Sequence, residues 1–176
     1  CLLSSPGNRL VSREMGIAMD LPDHATILQR PGEVGESVFL IREGRTTPQW
    51  SVRIESLSNR PEDLKTCLAD IITERAPDAQ GPTLEPIQLD LEGQPALMQW
   101  LKRPMPQRGT VLMGLLVASR GHGHNLLVTA ITVPDAGQNV LDALDRMFAS
   151  ARLLDREAAQ THLIHAMTRG EQLLRS

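Results

Sequence analysis

Aromatic side chains are scarce in this chain, which has two Trp, two Phe and no Tyr among its 176 residues. So few rings cannot build the stacking platforms on which single-stranded nucleic acids lie. Charge of one sign is also wanting, because 18 basic and 21 acidic side chains are interspersed to a formal net charge of −3, with no block of like charge to attract a polyanion. Nucleic acid is therefore not an expected partner. Long hydrophobic runs are missing too: the longest wholly apolar stretch covers residues 111–118, with Gly114 inside it, whereas a membrane-spanning helix needs roughly 20. The common P-loop, dinucleotide-binding and zinc-protease spacings are absent, and no Ser-His-Asp arrangement has local sequence support. No motif identifies a reaction, and none implies a cofactor.

What is there fits one domain, since 176 residues bury a proper core and a second domain would leave both parts small. Residue 1 is Cys, in the stretch CLLSSPGNRLVSRE, and four readings of it stand side by side. In the first, Cys1 is the lipid-attachment residue of a bacterial lipoprotein and the polar Ser4-Ser5-Pro6-Gly7-Asn8 run is its tether. In the second, a fragment simply starts there. The third makes Cys1 an N-terminal nucleophile with its own amine as base, which requires a rigidly held residue and sits badly with Ser, Pro and Gly. The fourth joins Cys1 to Cys67 in a disulfide.

The surroundings of Cys67 weigh against that last reading. In PEDLKTCLADIITERAP, Leu64, Cys67, Leu68, Ile71 and Ile72 recur at helical spacing, Pro61 suits the first turn, and Pro77, Gly81 and Pro82 end the helix. Cys67 is expected on the buried stripe, as a small hydrophobe.

Most of the remaining pattern is strand. GIAMDLP alternates weakly, ESVFLI follows a Pro31-Gly32 turn signal, and WSVRIESL sets Trp50, Val52 and Ile54 against Ser51, Arg53 and Glu55. In TLEPIQLDLEGQPALMQWL, Ile87, Leu89 and Leu91 share one face and Glu92-Gly93 marks a tight turn, which predicts a hairpin. TVLMGLLVAS and NLLVTAITV are apolar at consecutive positions, as strands covered on both faces are, and belong at the centre of the sheet.

Between those two strands lies RGHGHN, whose glycines allow the backbone to turn. His122 and His124 are expected on this loop, either as plain loop residues or as two ligands of a metal site that would need further ligands from elsewhere. His24 follows a Pro-Asp turn, while His162 and His165 belong to an expected C-terminal helix with a Leu163, Ala166, Met167 and Leu174 stripe, so they are poor ligand candidates. Before that helix, QNVLDALDRMFASARLL places Val140, Leu141, Leu144, Met147, Phe148 and Ala151 along one stripe that packs on the sheet. A sheet with an apolar centre needs cover on both faces, and the helices near 61–76 and 138–153 are the long candidates. The expected fold is therefore α+β, a three-layer α/β/α sandwich with a largely antiparallel central sheet. Its parts are a flexible tether over 1–14, the domain over 15–155 and a terminal helix over 156–176, which caps its own sheet or docks on a partner.

The opening strand GIAMDLP, the strand-turn-strand unit LDLEGQPALMQW, and VTAITV followed by a helix ending in FASARLL resemble the PsbP-like, DcrB-like α/β/α sandwich family. The likeness runs over roughly residues 15 to 155 and is one of pattern, without a diagnostic catalytic motif. It implies a non-enzymatic protein that binds, stabilises or helps assemble a larger complex, with several relatives exported. For this chain the expectation is an envelope lipoprotein with a protein partner, held at the membrane by a lipid on Cys1; the alternative location is cytoplasmic. LKRPMPQRG is the expected contact loop, in which Lys102, Arg103 and Arg108 surround Pro104, the adaptable Met105 and Pro106. Two other functions remain: a metal-binding or hydrolytic enzyme using His122 and His124, and a small-ligand carrier with a pocket between sheet and helix.

Overall fold

A computed structural model describes residues 9–12, 15–30, 38–44, 48–79, 85–106, 109–120 and 124–154. Cys1, Arg108, His122 and the helix expected over 156–176 lie outside them. In chain order the elements are β1 (Arg9–Ser12), β2 (Ile17–Asp20), β3 (Ala25–Arg30), β4 (Val38–Glu43), β5 (Trp50–Leu57), α1 (Leu64–Arg75), β6 (Ile87–Leu91), β7 (Gln94–Met105), β8 (Gly109–Ser119), β9 (Asn125–Thr132), a single 3₁₀ turn, α2 (Gln138–Ser150) and β10 (Arg152–Leu153). Seven strands form one antiparallel sheet in the order β3-β4-β5-β9-β8-β7-β6, and β1, β2 and β10 form a small second sheet.

The two apolar runs are β8 and β9, paired from Leu112↔Thr132 to Ser119↔Asn125 in the middle of the large sheet. Alternate residues of β8 serve opposite faces. Met113, Leu115 and Val117 pack with Cys67, Leu68 and Ile71 of α1, whereas Leu116 and Ala118 pack with Leu144, Met147 and Phe148 of α2. The α/β/α sandwich is thus present. Its α2 side also carries the small sheet, whose Leu10, Ile17 and Met19 join the same core.

Local chemistry sets the boundaries. Asp63 caps α1, its carboxylate accepting from the Thr66 N–H at 3.0 Å and the Thr66 hydroxyl at 2.7 Å, so the helix starts after Asp63 rather than at Pro61. Those two donors also hold the Asp63 carboxyl below its ordinary pKa. The turn between β6 and β7 is Glu92-Gly93, both at positive φ (55° and 87°), and the Gly93 N–H donates to Asp90 Oδ1 at 2.7 Å. That is the type I′ geometry favoured by two-residue hairpins.

Three expectations need correction. The segment read as tether contributes β1, where Leu10 and Ser12 are buried, because β2 supplies a partner from Arg9↔Asp20 to Ser12↔Ile17. GIAMDLP, read as the opening strand, is preceded by β1 and supplies β2, the middle strand of the small sheet. Lys102, Arg103 and Met105 are not on a loop, since β7 runs through them and stays paired with β8 as far as Met105↔Gly109. Neither proline within β7 costs a ladder bond. Pro95 lies beyond the last β8 pairing at Ala96↔Ala118, and Pro104 turns its nitrogen to the side where β6 reaches only Met98.

Arg120, at the end of β8, fastens the small sheet. Its guanidinium donates to the Met15 carbonyl and, at 3.3 Å, to the Leu154 carbonyl. Gly16 sits at φ +69° directly beneath that guanidinium, where a Cβ would collide with it.

Candidate functional site

Helix α1 uses only part of its surface to cover the sheet. Leu68, Ala69, Ile72 and Thr73, with Lys65 one turn earlier, form one wall of a surface cleft of ≈580 Å³. Leu101 and Gln99 of β7 form its floor, and Ala79, Glu85 and Pro86 its far side. The volume falls in the range of small-molecule sites, roughly 300–1,000 Å³. Apolar carbon dominates the lining, with Lys65, Glu85, Gln99 and Thr73 as its polar groups. The arrangement suits holding an apolar group beside a few hydrogen-bonding ones.

Polar groups are also set into the sheet beneath α1. Glu55, 3 % exposed, takes Arg53 Nε at 2.7 Å on one carboxylate oxygen and the Arg75 guanidinium on the other. A buried carboxylate is tolerable only with such pairing. Asn125, also buried, donates from Nδ2 to Cys67 Sγ at 3.0 Å and towards the Pro61 carbonyl at 3.4 Å. Cys67 is a free thiol among the described residues and fully buried, as its helical stripe predicts. Burial pushes its pKa up, against a smaller opposite pull from the Asn125 hydrogen bond, so the reactive thiolate is disfavoured. At the rim, Arg60 and Glu74 pair at 2.8 Å; the bond holds the Glu74 carboxyl below its usual range and raises the Arg60 pKa.

The residues singled out in the sequence are partly brought together. Lys102 is exposed on β7 and Met105 is half-buried at its end. Arg103 Nε lies 3.4 Å from Asp78 Oδ1, an ion-pair distance, yet it is buried without a hydrogen bond because the approach is long and poorly aligned. This pair leaves Arg103 as a brace between β7 and the turn that follows α1 more than a free contact. Arg108, Cys1 and His122 lie outside the described residues. His124 is exposed, its carbonyl accepting from the Arg120 N–H and its Nδ1 lying 3.5 Å from Ser58 Oγ. Among the described residues, no three His, Cys, Asp or Glu side chains gather as a metal site would require. Sequence reasoning missed Lys65, Glu85 and Gln99. One signal was present for Gln99, a polar residue at an inward position between Leu97 and Leu101.

The fold defined here is that of PsbP-like proteins. The chain superimposes on cyanobacterial PsbP (CyanoP) from Synechocystis sp. PCC 6803 with a TM-score of 0.57 and 14% identity, covering 87% of this chain and 96% of that one. It also superimposes on LpqN of Mycobacterium tuberculosis, a protein involved in cell envelope biogenesis, with a TM-score of 0.53 and 15% identity over 88% of this chain and 90% of that one. No family model matches the sequence. No curated protein matches it either.

Proposed function

We propose that this protein is a non-enzymatic binding or assembly module of the cell envelope. The supporting observation is the fold shared, over 88% of the chain, with LpqN, a protein of envelope biogenesis. A rigid sheet that presents an open cleft and the exposed Lys102 and half-buried Met105 of β7 suits holding a protein partner. A lipid on Cys1 is the finer form of the proposal. The test has two parts in the native organism. The protein should fractionate with envelope membranes and carry the mass of acyl chains on Cys1. A photo-crosslinker at Met105 should then give one discrete adduct. Recovery in the cytosol overturns the envelope reading; absence of any adduct at Met105 overturns the contact surface.

The cleft beside α1 favours one further reading, a carrier for a small apolar ligand. Thermal-shift screening decides it. A carrier is stabilised by one chemical class in proportion to the logarithm of its concentration, whereas a chain without such a site is not.

A further inference from the structure

We propose that the free edge of β6 is a self-association surface, to which a second copy of this chain adds its own β6 antiparallel, continuing the seven-stranded sheet across a two-fold axis. This goes beyond the function proposed above and does not rest on it.

The argument starts from hydrogen-bond parity. β6 ends the strand order, and among the described residues only β7 pairs with it. Leu91↔Gln94 closes the two-residue turn as a hydrogen-bonded pair, so by alternation Leu89↔Ala96 and Ile87↔Met98 are hydrogen-bonded as well. Asp90↔Pro95 must be a non-hydrogen-bonded pair, because Pro95 has no N–H to give. The main-chain N–H and C=O of Gln88 and Asp90 therefore point away from β7, into the open edge.

The side chains there are not those of a defended edge. Ile87–Leu91 contains no Lys or Arg, and its one charge, Asp90, is turned back onto the Gly93 N–H at 2.7 Å. Ile87 is 49 % exposed, the one large hydrophobic side chain so exposed among the described residues. A depression of ≈400 Å³ runs along the strand, lined by Gln88, Leu89, Asp90, Gly93 and Pro95.

Self-pairing centred on Leu89 satisfies this edge. Leu89 meets its own counterpart at the axis, Ile87 stands opposite Leu91, and Gln88 opposite Asp90. The two residues whose main-chain groups face outward thus exchange hydrogen bonds with each other on both sides of the axis. The Gln88 amide also offers donors to the Asp90 carboxylate. Neighbouring registers that keep the same parity are worse. One sets Asp90 against Asp90, and the other sets Asp90 against Pro86, which has no N–H. The register is therefore specified by the sequence of β6 itself, which argues for a second copy as the occupant over an unrelated strand.

So short an edge makes a small interface, and the expected dissociation constant is on the order of 10–100 μM. The experiment is sedimentation equilibrium of the purified chain from about 1 μM to about 1 mM, a span that brackets this range. The wild-type chain should pass from monomer to dimer. Gln88→Pro should stay monomeric with an unchanged melting curve, because it removes a donor used only across the edge. Leu89→Cys should become a covalent dimer on mild oxidation, since opposed residues at such a pair have Cα atoms about 4.5 Å apart, within disulfide reach. The cysteine variant carries the test even where Gln88→Pro fails to fold. A wild-type chain that remains monomeric throughout overturns the proposal. So does a folded Gln88→Pro that dimerises as well as wild type, or a Leu89→Cys that cross-links no better than the wild-type chain. None of these measurements involves a partner or a membrane, so the envelope reading stands or falls separately.

Discussion

On the α2 side of the large sheet, Leu144, Met147 and Phe148 press onto Leu116, Ala118, Val128 and Ala130, and Leu10, Ile17 and Met19 of the small sheet join them. On the α1 side, Cys67, Leu68 and Ile71 cover Leu115, Val117 and Leu127, but Glu55, Gln99 and Asn125 are buried nearby and a cleft stays open. Polar residues are buried on both sides, since Ser12, Glu43 and Thr132 lie on the face that α2 covers. What sets the α1 side apart is the empty volume beside its helix. The contrast is sharpest at β8, where Gly114 faces Trp100 and Phe148. Those rings meet edge to face at 5.9 Å and 85°, and a Cβ on Gly114 would lie 3.0 Å from both.

This contrast can be broken by mutation. Phe148→Ala should cost about 3–5 kcal/mol in urea denaturation, the range for truncating a buried ring that cannot be refilled. Ile72→Ala, on the cleft wall, should cost well under half as much; equal losses would show that the α1 side is as tightly packed as the other. Gly114→Ala should destabilise by about 1–3 kcal/mol through overpacking, unless the Trp100 ring can move. Such movement would appear as loss of the Trp100 Nε1 to Asp145 hydrogen bond, now 3.0 Å long, in the indole resonance.

A smaller effect follows from Cys67, whose thiol pKa lies above the ordinary 9.0 because it is buried. Above that ordinary value the unfolded chain gives up the proton while the folded chain retains it. Stability should be full below about pH 9 and decline as the pH rises further. Cys67→Ala should lack that part of the decline, and a matching slope in both chains would contradict it. Smallest of all, Lys65→Ala at the cleft mouth should leave stability within about ±0.5 kcal/mol. Any effect it has should show in ligand or partner binding instead.

Much of this architecture was legible in the sequence. Two consecutive apolar runs specify buried central strands, Glu92-Gly93 specifies the hairpin, and the Cys67 stripe specifies its helix face. What stayed hidden depends on partners distant in sequence. β1 is four residues in a polar setting, recognisable only once β2 and β10 are beside it. LKRPMPQRG resembled a loop because of its prolines, yet the ladder bond that Pro104 would have broken is one that no neighbouring strand among the described residues is there to make. The cleft exists because α1 and β7 leave a gap, and gaps have no local signature.

The small sheet has a mechanical consequence. β2 lies between β1 and β10, which carry the first and last strands of the described chain, and both run antiparallel to it. Residue 9 leaves β1 beside Asp20, while Leu154 follows β10 at the opposite end, beside Gly16, where its N–H donates to the Gly16 carbonyl at 2.8 Å. Tension between those two points would pull the outer strands lengthwise in opposite directions, loading their hydrogen bonds in shear, together, instead of unzipping them singly. The Arg120 clamp spans the same junction. A domain held at one end and tugged at the other would therefore meet that force at its smallest sheet, before it reached the large sheet with its cleft and free edge.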